Sequence, residues 1–170
     1  MTGGFVLATS RLVLREMGHA DLDVVAAMLS HTEVMRHYPR PLTRDESRAW
    51  IERMTVRYSR DGHGLWLVLR REDDLPVGQV GLMLQRIDGR DEREIGWILG
   101  RPFWGLGYAT EAAARVRDWA FATYDPPRLI SLIREVNVPS QAVARRIGMA
   151  PVSETTFAGL PHLVFATGRP

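Results

Sequence analysis

Gly105 and Gly107 stand where a strand-like stretch gives way to a helical one. Before them, Glu94-Ile-Gly-Trp-Ile-Leu99 has the composition of an extended segment. After them, Ala112, Val116, Trp119, Ala120 and Thr123 fall on one helical face that ends before Pro126-Pro127. Glycines at such a junction let the backbone approach a ligand closely. The N–H groups from Leu106 to Thr110, at the helix start, then form a partly positive concavity suited to a pyrophosphate. An ordinary βα turn has the same appearance, so the rest of the chain must decide. A dinucleotide fingerprint would need a third glycine where Thr110 stands and an early βαβ unit. A Walker A loop would need a lysine, and the chain has none.

The remaining pattern is mixed. Arg11-Leu-Val-Leu-Arg15 alternates as a half-buried first strand. Asp21 is placed to cap a helix carrying Leu22, Val25, Ala26 and Leu29, and Thr43-Arg-Asp-Glu46 is a capping box opening a second helix through about Tyr58. Between them, His37-Tyr-Pro-Arg-Pro41 is a surface segment able to border a site. Leu65–Arg70, Val77–Leu84 and Glu94–Leu99 read as an antiparallel meander turned at Asp73/Asp74 and Asp88-Gly89. Leu129–Val136 makes a further strand, and a short helix over about Ser140–Ile147 stops at Gly148. Two last strands fit Pro151–Thr156 and Leu163–Thr167. The order is β-α-α-β-β-β-α-β-α-β-β, an α/β domain with no internal repeat.

With 170 residues, 45% of them hydrophobic, the chain suits one globular domain spanning 1–170. Cysteine is absent, which excludes disulfides, thiolate metal sites and a cysteine nucleophile. The five histidines show no ligand spacing, so no metal site is expected. A net charge of +2 carried by scattered arginines argues against nucleic acid as a partner. No apolar stretch approaches the roughly 20 residues that span a bilayer, and the first residues lack the basic and apolar regions of a signal peptide. The expectation is a soluble, cytoplasmic protein with no membrane partner.

Trp104-Gly-Leu-Gly-Tyr-Ala-Thr-Glu-Ala112 resembles the acetyl-CoA pyrophosphate loop of the GCN5-related N-acetyltransferases (GNAT). About 30 residues on, Asn137-Val-Pro-Ser140 and Ala144-Arg-Arg-Ile-Gly-Met149 resemble that family's Asn-x-x-Ser…Gly-Phe segment. The likeness extends from Arg11–Arg15 through Glu94–Trp97 and is similar in particular to the RimJ/RimL-like branch that acetylates ribosomal-protein N-termini. Pro102 stands where the family has glutamine or arginine, with Arg101 one position earlier, and Met149 replaces the usual aromatic. The resemblance implies a mixed, mostly antiparallel sheet of about six or seven strands flanked by about four helices. Its fourth and fifth strands would splay to admit the pantetheine arm of acetyl-CoA, the co-substrate.

Within that resemblance, Leu106, Gly107, Tyr108, Ala109 and Thr110 bind the pyrophosphate, with Arg101, Arg145 and Arg146 as further phosphate candidates. A main-chain N–H near Ile98 or Leu99 faces the thioester oxygen. Gly96 fits either a bulge there or close packing. Asn137 binds the pantetheine amide and Ser140 protonates the leaving thiolate; alternatively, Asn137 shapes the turn and Ser140 caps the helix. Tyr108 ranks below Ser140 as a group near the thiol. Glu94 is the first choice for general base, with Glu154 and His162 as rivals, although a charged residue at a strand end is commonly solvated or paired with arginine. Trp66, Trp97 and Trp119 read as core.

The expected reaction is acetyl transfer to a primary amine, on a protein N-terminus or a small molecule, by direct attack in a ternary complex. A non-catalytic acyl-CoA-binding domain explains the glycine loop equally well. No carboxylate cluster suited to a polyamine is evident, which favours a peptide or neutral-bodied amine. Both monomer and homodimer remain open.

Overall fold

The computed structural model describes residues 4–170. Eight strands form one sheet: β1 (Phe5–Ala8), β2 (Leu12–Arg15), β3 (Leu65–Arg70), β4 (Pro76–Ile87), β5 (Arg90–Leu99), β6 (Leu129–Ile133), β7 (Ala150–Phe157) and β8 (Leu160–Thr167). Their spatial order is β1-β2-β3-β4-β5-β6-β8-β7. Among the described residues, only the β5–β6 pair runs parallel. Four α-helices flank the sheet: α1 (Leu22–Leu29), α2 (Arg44–Asp61), α3 (Tyr108–Tyr124) and α4 (Val138–Arg146).

The period-2 alternation of β3 divides its side chains between two cores. Leu65 and Leu67 pack with Val25, Leu29, Ile51 and Met54 of α1 and α2. Trp66 and Val68 join Ala112, Val116 and Ala120 of α3, Ala144 of α4 and Ile147, which caps α4. Alanines on the buried face of α3 let that helix lie close to the sheet, and each large aliphatic side chain buried beneath it contributes about 1.5–3 kcal/mol.

Several boundaries differ from the sequence reading. The sheet has eight strands instead of six or seven, because Phe5–Ala8 pairs with β2 as an N-terminal hairpin. Asp21 does not cap α1 with its side chain; the carboxylate accepts from Gly18 N–H at 2.9 Å and from Arg15 at 2.7 and 2.9 Å. Thr43 and Glu46 do form the reciprocal capping box of α2. β6 ends at Ile133, before Val136, and α4 begins at Val138.

The parallel contact between β5 and β6 is confined to Glu94 opposite Ile130. Beyond it the strands separate, and side chains take over the exposed backbone groups. Ser131 Oγ donates to Ile95 O at 2.7 Å, Glu94 Oε1 accepts from Leu132 N–H at 3.4 Å, and Trp104 Nε1 donates to Leu99 O at 2.9 Å. This replaces ladder bonds with side-chain bonds and satisfies buried polar backbone at the edges of a wedge. Among the described residues, no helix is long and apolar enough to cross a membrane.

Candidate active site

The wedge opens into a cavity of about 1130 Å³ between the two helical layers. One end meets the start of α3. Gly105 and Gly107 adopt φ of 75° and 80°, the left-handed region that glycine enters without strain, and turn the chain from the wedge into the helix. Glu111 N–H closes the first helical bond to Gly107 O at 3.0 Å, whereas no backbone bond is made by the N–H groups from Leu106 to Thr110. These unpaired donors stand at a helix N-terminus, where the helix dipole and the free N–H groups attract negative charge. Gly107, Tyr108, Ala109 and Thr110 line the cavity. The Leu106 side chain points outward, 46% exposed, and lies outside the cavity lining.

A contact invisible to pattern reading braces this loop. The Glu111 carboxylate accepts from Thr9 Oγ1 at 2.5 Å and Arg11 N–H at 3.0 Å, and pairs with the Arg11 guanidinium at 2.7 Å. Burial alone would raise its pKa, but these hydrogen bonds outweigh burial and lower it. Arg11 also donates to Leu106 O at 3.0 Å and lies over the Tyr108 ring, 4.7 Å from its centroid. Tyr108 is 7% exposed beneath it, packed in the α3 core.

Register resolves the two expected oxyanion donors. Gly100 N–H bonds Val77 O in β4, and the pairing continues without a shift from Gly78–Leu99 to Ile87–Arg90. Alternation therefore turns Ile98 N–H toward β4, opposite Gln79, and leaves Trp97 and Leu99 N–H facing the wedge. Of the pair Ile98 and Leu99, only Leu99 presents its N–H to the cavity. Gly96 forms no bulge, and a Cβ there would meet Met83 Cε at 3.0 Å and Leu65 Cδ2 at 3.2 Å, so its role is close packing.

Glu94 sits at the closed end of the wedge, 7% exposed and lining the cavity. Burial raises its pKa to about 7, against the opposing effects of a 2.8 Å hydrogen bond from Gln85 Nε2, the Leu132 N–H and the charge of Arg57. A carboxyl group that titrates near neutrality while facing a cavity is able to accept a proton and release it again. The adjacent Arg93 does not pair with it; that guanidinium lies over the Tyr124 ring at 4.6 Å. Tyr38 is 39% exposed, and that surface lines the cavity. Burial and then the charge of Glu94 push its hydroxyl pKa up, so it stays protonated.

On the opposite face, Trp97 Nε1 donates to Ser140 Oγ at 3.2 Å, and both residues line the cavity. The capping alternative for Ser140 does not hold: Asn137 is the N-cap of α4, accepting from Ser140 N–H at 3.3 Å, and Ser140 lies inside the helix. Trp97, expected in the core, is half-buried at the wall. Asn137 lines the cavity with its amide NH₂ turned away from the cap bond.

Of the rival bases, Glu154 is exposed and lies outside the cavity lining, whereas His162 lines it. Burial lowers the pKa of His162, and its Nδ1 contacts Leu160 O at 2.8 Å, which leaves the neutral ring with Nε2 as acceptor. Arg101 is engaged by Glu33 at 3.2 Å and by the Trp104 ring, and Arg145 by the Phe165 ring; only Arg146 of the three phosphate candidates lines the cavity.

A family model described as an acetyltransferase (GNAT) domain matches residues 11–150, most of the chain. The chain belongs to the GNAT acetyltransferases. It is 32% identical over 137 residues to the uncharacterized N-acetyltransferase p20 of Bacillus licheniformis, covering 79% of this chain and 76% of the relative. An acetyltransferase crystal structure from Agrobacterium tumefaciens strain C58 superposes with a TM-score of 0.83 at 28% identity, covering 99% and 96% of the two chains. A RimL ribosomal L7/L12 α-N-protein acetyltransferase in complex with coenzyme A shares the fold, with a TM-score of 0.79 at 16% identity over 97% and 98% of the chains.

Proposed function

We propose that this GNAT protein transfers the acetyl group of acetyl-CoA to a primary amine, a protein N-terminal α-amine or a small amine, by direct attack in a ternary complex. The observation that carries the reading is Glu94: a buried carboxyl with a pKa raised to about 7, at the closed end of a wedge whose open end meets the α3 concavity. The coenzyme A held by the RimL fold neighbour supports the choice of co-substrate. The residues present fit that molecule. Unpaired N–H groups from Leu106 to Thr110 suit a pyrophosphate, the wedge suits a flexible amide-bearing arm, and the free Asn137 NH₂ suits one of its carbonyls.

In this reading Glu94 takes the proton of the incoming ammonium, and the neutral nitrogen forms its C–N bond at the thioester carbon. The Leu99 N–H stabilises the oxyanion. As the C–S bond breaks, Ser140 gives its hydroxyl proton to the sulfur and regains one, through water, from the nitrogen that became cationic on attack, its geometry held by the Trp97 indole; Glu94 then returns its proton to solvent. A merely binding domain has no use for a buried, titrating carboxylate, which would cost stability there.

Isothermal titration with acetyl-CoA, with NADH and ATP as controls, tests the co-substrate, and CoA release with primary amines tests transfer. Selective micromolar binding followed by amine-dependent release is expected. No binding of acetyl-CoA would overturn the reading.

A further inference from the structure

The part of the cavity lined by α2 and the segment before it holds more arginine than it pairs. Arg53 and Arg57 stand four residues apart on the face of α2 that lines the cavity, Arg36 comes from the segment between α1 and α2, and Arg134 follows β6. The carboxylates of the cavity are Glu33, Glu94 and Glu111. Glu33 is paired with Arg101 at 3.2 Å and Glu111 with Arg11 at 2.7 Å, while Glu94 draws its hydrogen bonds from an amide and a backbone N–H. Arg57 has Asp61 at 3.9 Å.

Among the described residues, Arg36, Arg53 and Arg134 have no carboxylate partner. Arg36 donates to the His37 ring at 3.0 Å, Arg53 lies over Trp50 at 5.7 Å, and Arg134 donates weakly to His37 O at 3.4 Å. Such contacts leave most of the five donors of each guanidinium unused. A cationic body would be repelled here, whereas guanidinium matches a carboxylate with two parallel hydrogen bonds.

We infer that the acceptor is an amine that carries a carboxylate, which docks against Arg134 and Arg53 while the amine reaches Glu94. The inference rests on the acetyl-transfer reading and narrows its acceptor. Two sources offer that chemistry: an acidic residue following a peptide N-terminus, or a small amino acid. In both, the carboxylate fixes the molecule and the cationic surroundings favour the neutral, nucleophilic form of the amine.

The test measures CoA release with two matched sets of acceptors. One is Ser-Asp-Ala-Ala amide beside its Asn and Lys counterparts; the other is β-alanine beside β-alaninamide. The acidic member of at least one set is expected to show a kcat/KM about tenfold or more above its neutral partner, the effect of one charge-assisted hydrogen bond. The set that shows it identifies the source. In Arg134→Gln and Arg53→Gln that ratio should fall toward one, while the acetyl-CoA Kd, which also reports folding, stays unchanged. Neutral or lysine-bearing acceptors used as well as the acidic ones in both sets would overturn the inference alone. No CoA release from any acceptor, with acetyl-CoA still bound, would overturn it together with the transfer reading.

Discussion

Gln85 Nε2 donates to Glu94 Oε2 across 2.8 Å, and the other end of the same amide accepts from Arg57 Nη2 at 3.4 Å. Arg57 thereby fixes which way the amide faces, and the amide holds the carboxylate in the cavity. The Gln85 bond opposes the burial that raises the Glu94 pKa. Gln85→Leu should therefore move the acid limb of kcat/KM to higher pH, by about one unit for the loss of one hydrogen bond to a charged group. A pH–rate profile of the variant checks this; an unmoved limb would mean that Gln85 does not act on Glu94.

The raised pKa also has a stability consequence. A carboxyl whose pKa is about 7 folded and 4.5 otherwise binds its proton more tightly in the native state. Stability from this group is therefore greatest below about 4.5 and is lost as pH rises through 7. Glu94→Gln, which removes the charge and keeps the shape, should stabilise the protein at pH 8 by about 1–3 kcal/mol and have little effect at pH 4.5. Thermal midpoints at the two pH values read this directly.

Asn137 and Ser140 separate capping from chemistry. Asn137→Ala should cost about 1 kcal/mol through loss of the α4 cap. Ser140→Ala leaves that cap acceptor in place and should lower kcat more than it weakens acetyl-CoA binding. Chemical denaturation and steady-state kinetics on both variants distinguish the effects; equal stability losses with unchanged kcat for Ser140→Ala would assign Ser140 a structural part only.

Glu111 ties the β1–β2 turn to the anion loop through Thr9 and Arg11. Glu111→Ala should release the loop and weaken acetyl-CoA binding by about tenfold, with a smaller effect on kcat once the site is saturated. Gly107→Glu should abolish binding, since it forces a side chain into a φ of 80° and places negative charge in the concavity. Titration calorimetry reports both.

Much of this was legible from local pattern. The capping box of α2, the meander and the glycine loop each announce themselves within a few residues, because capping, alternation and turn chemistry act over short range. Phe5–Ala8 is not legible in that way: all four residues are apolar, Phe5 is 69% exposed, and only pairing with β2 makes the segment a strand. The start of α4 was hidden because Asn137 and Ser140 both suit an N-cap, and the backbone between them decides. In the site, Glu94 was readable as a carboxylate on the strand beside the wedge. Gln85, Arg57, Arg11 and Glu111 were not, since their contacts join residues from about 9 to 100 positions apart in the chain.

The most direct measurement is amine-dependent CoA release from acetyl-CoA across pH 5.5 to 9, for the unmodified protein and Glu94→Gln. If Glu94 drives acetyl transfer as a base, kcat/KM rises with pH, turns over to a plateau near pH 7, and falls by about 10²–10⁴ in the variant with that inflection gone. Release that keeps its rate and its pH profile in Glu94→Gln would contradict the account.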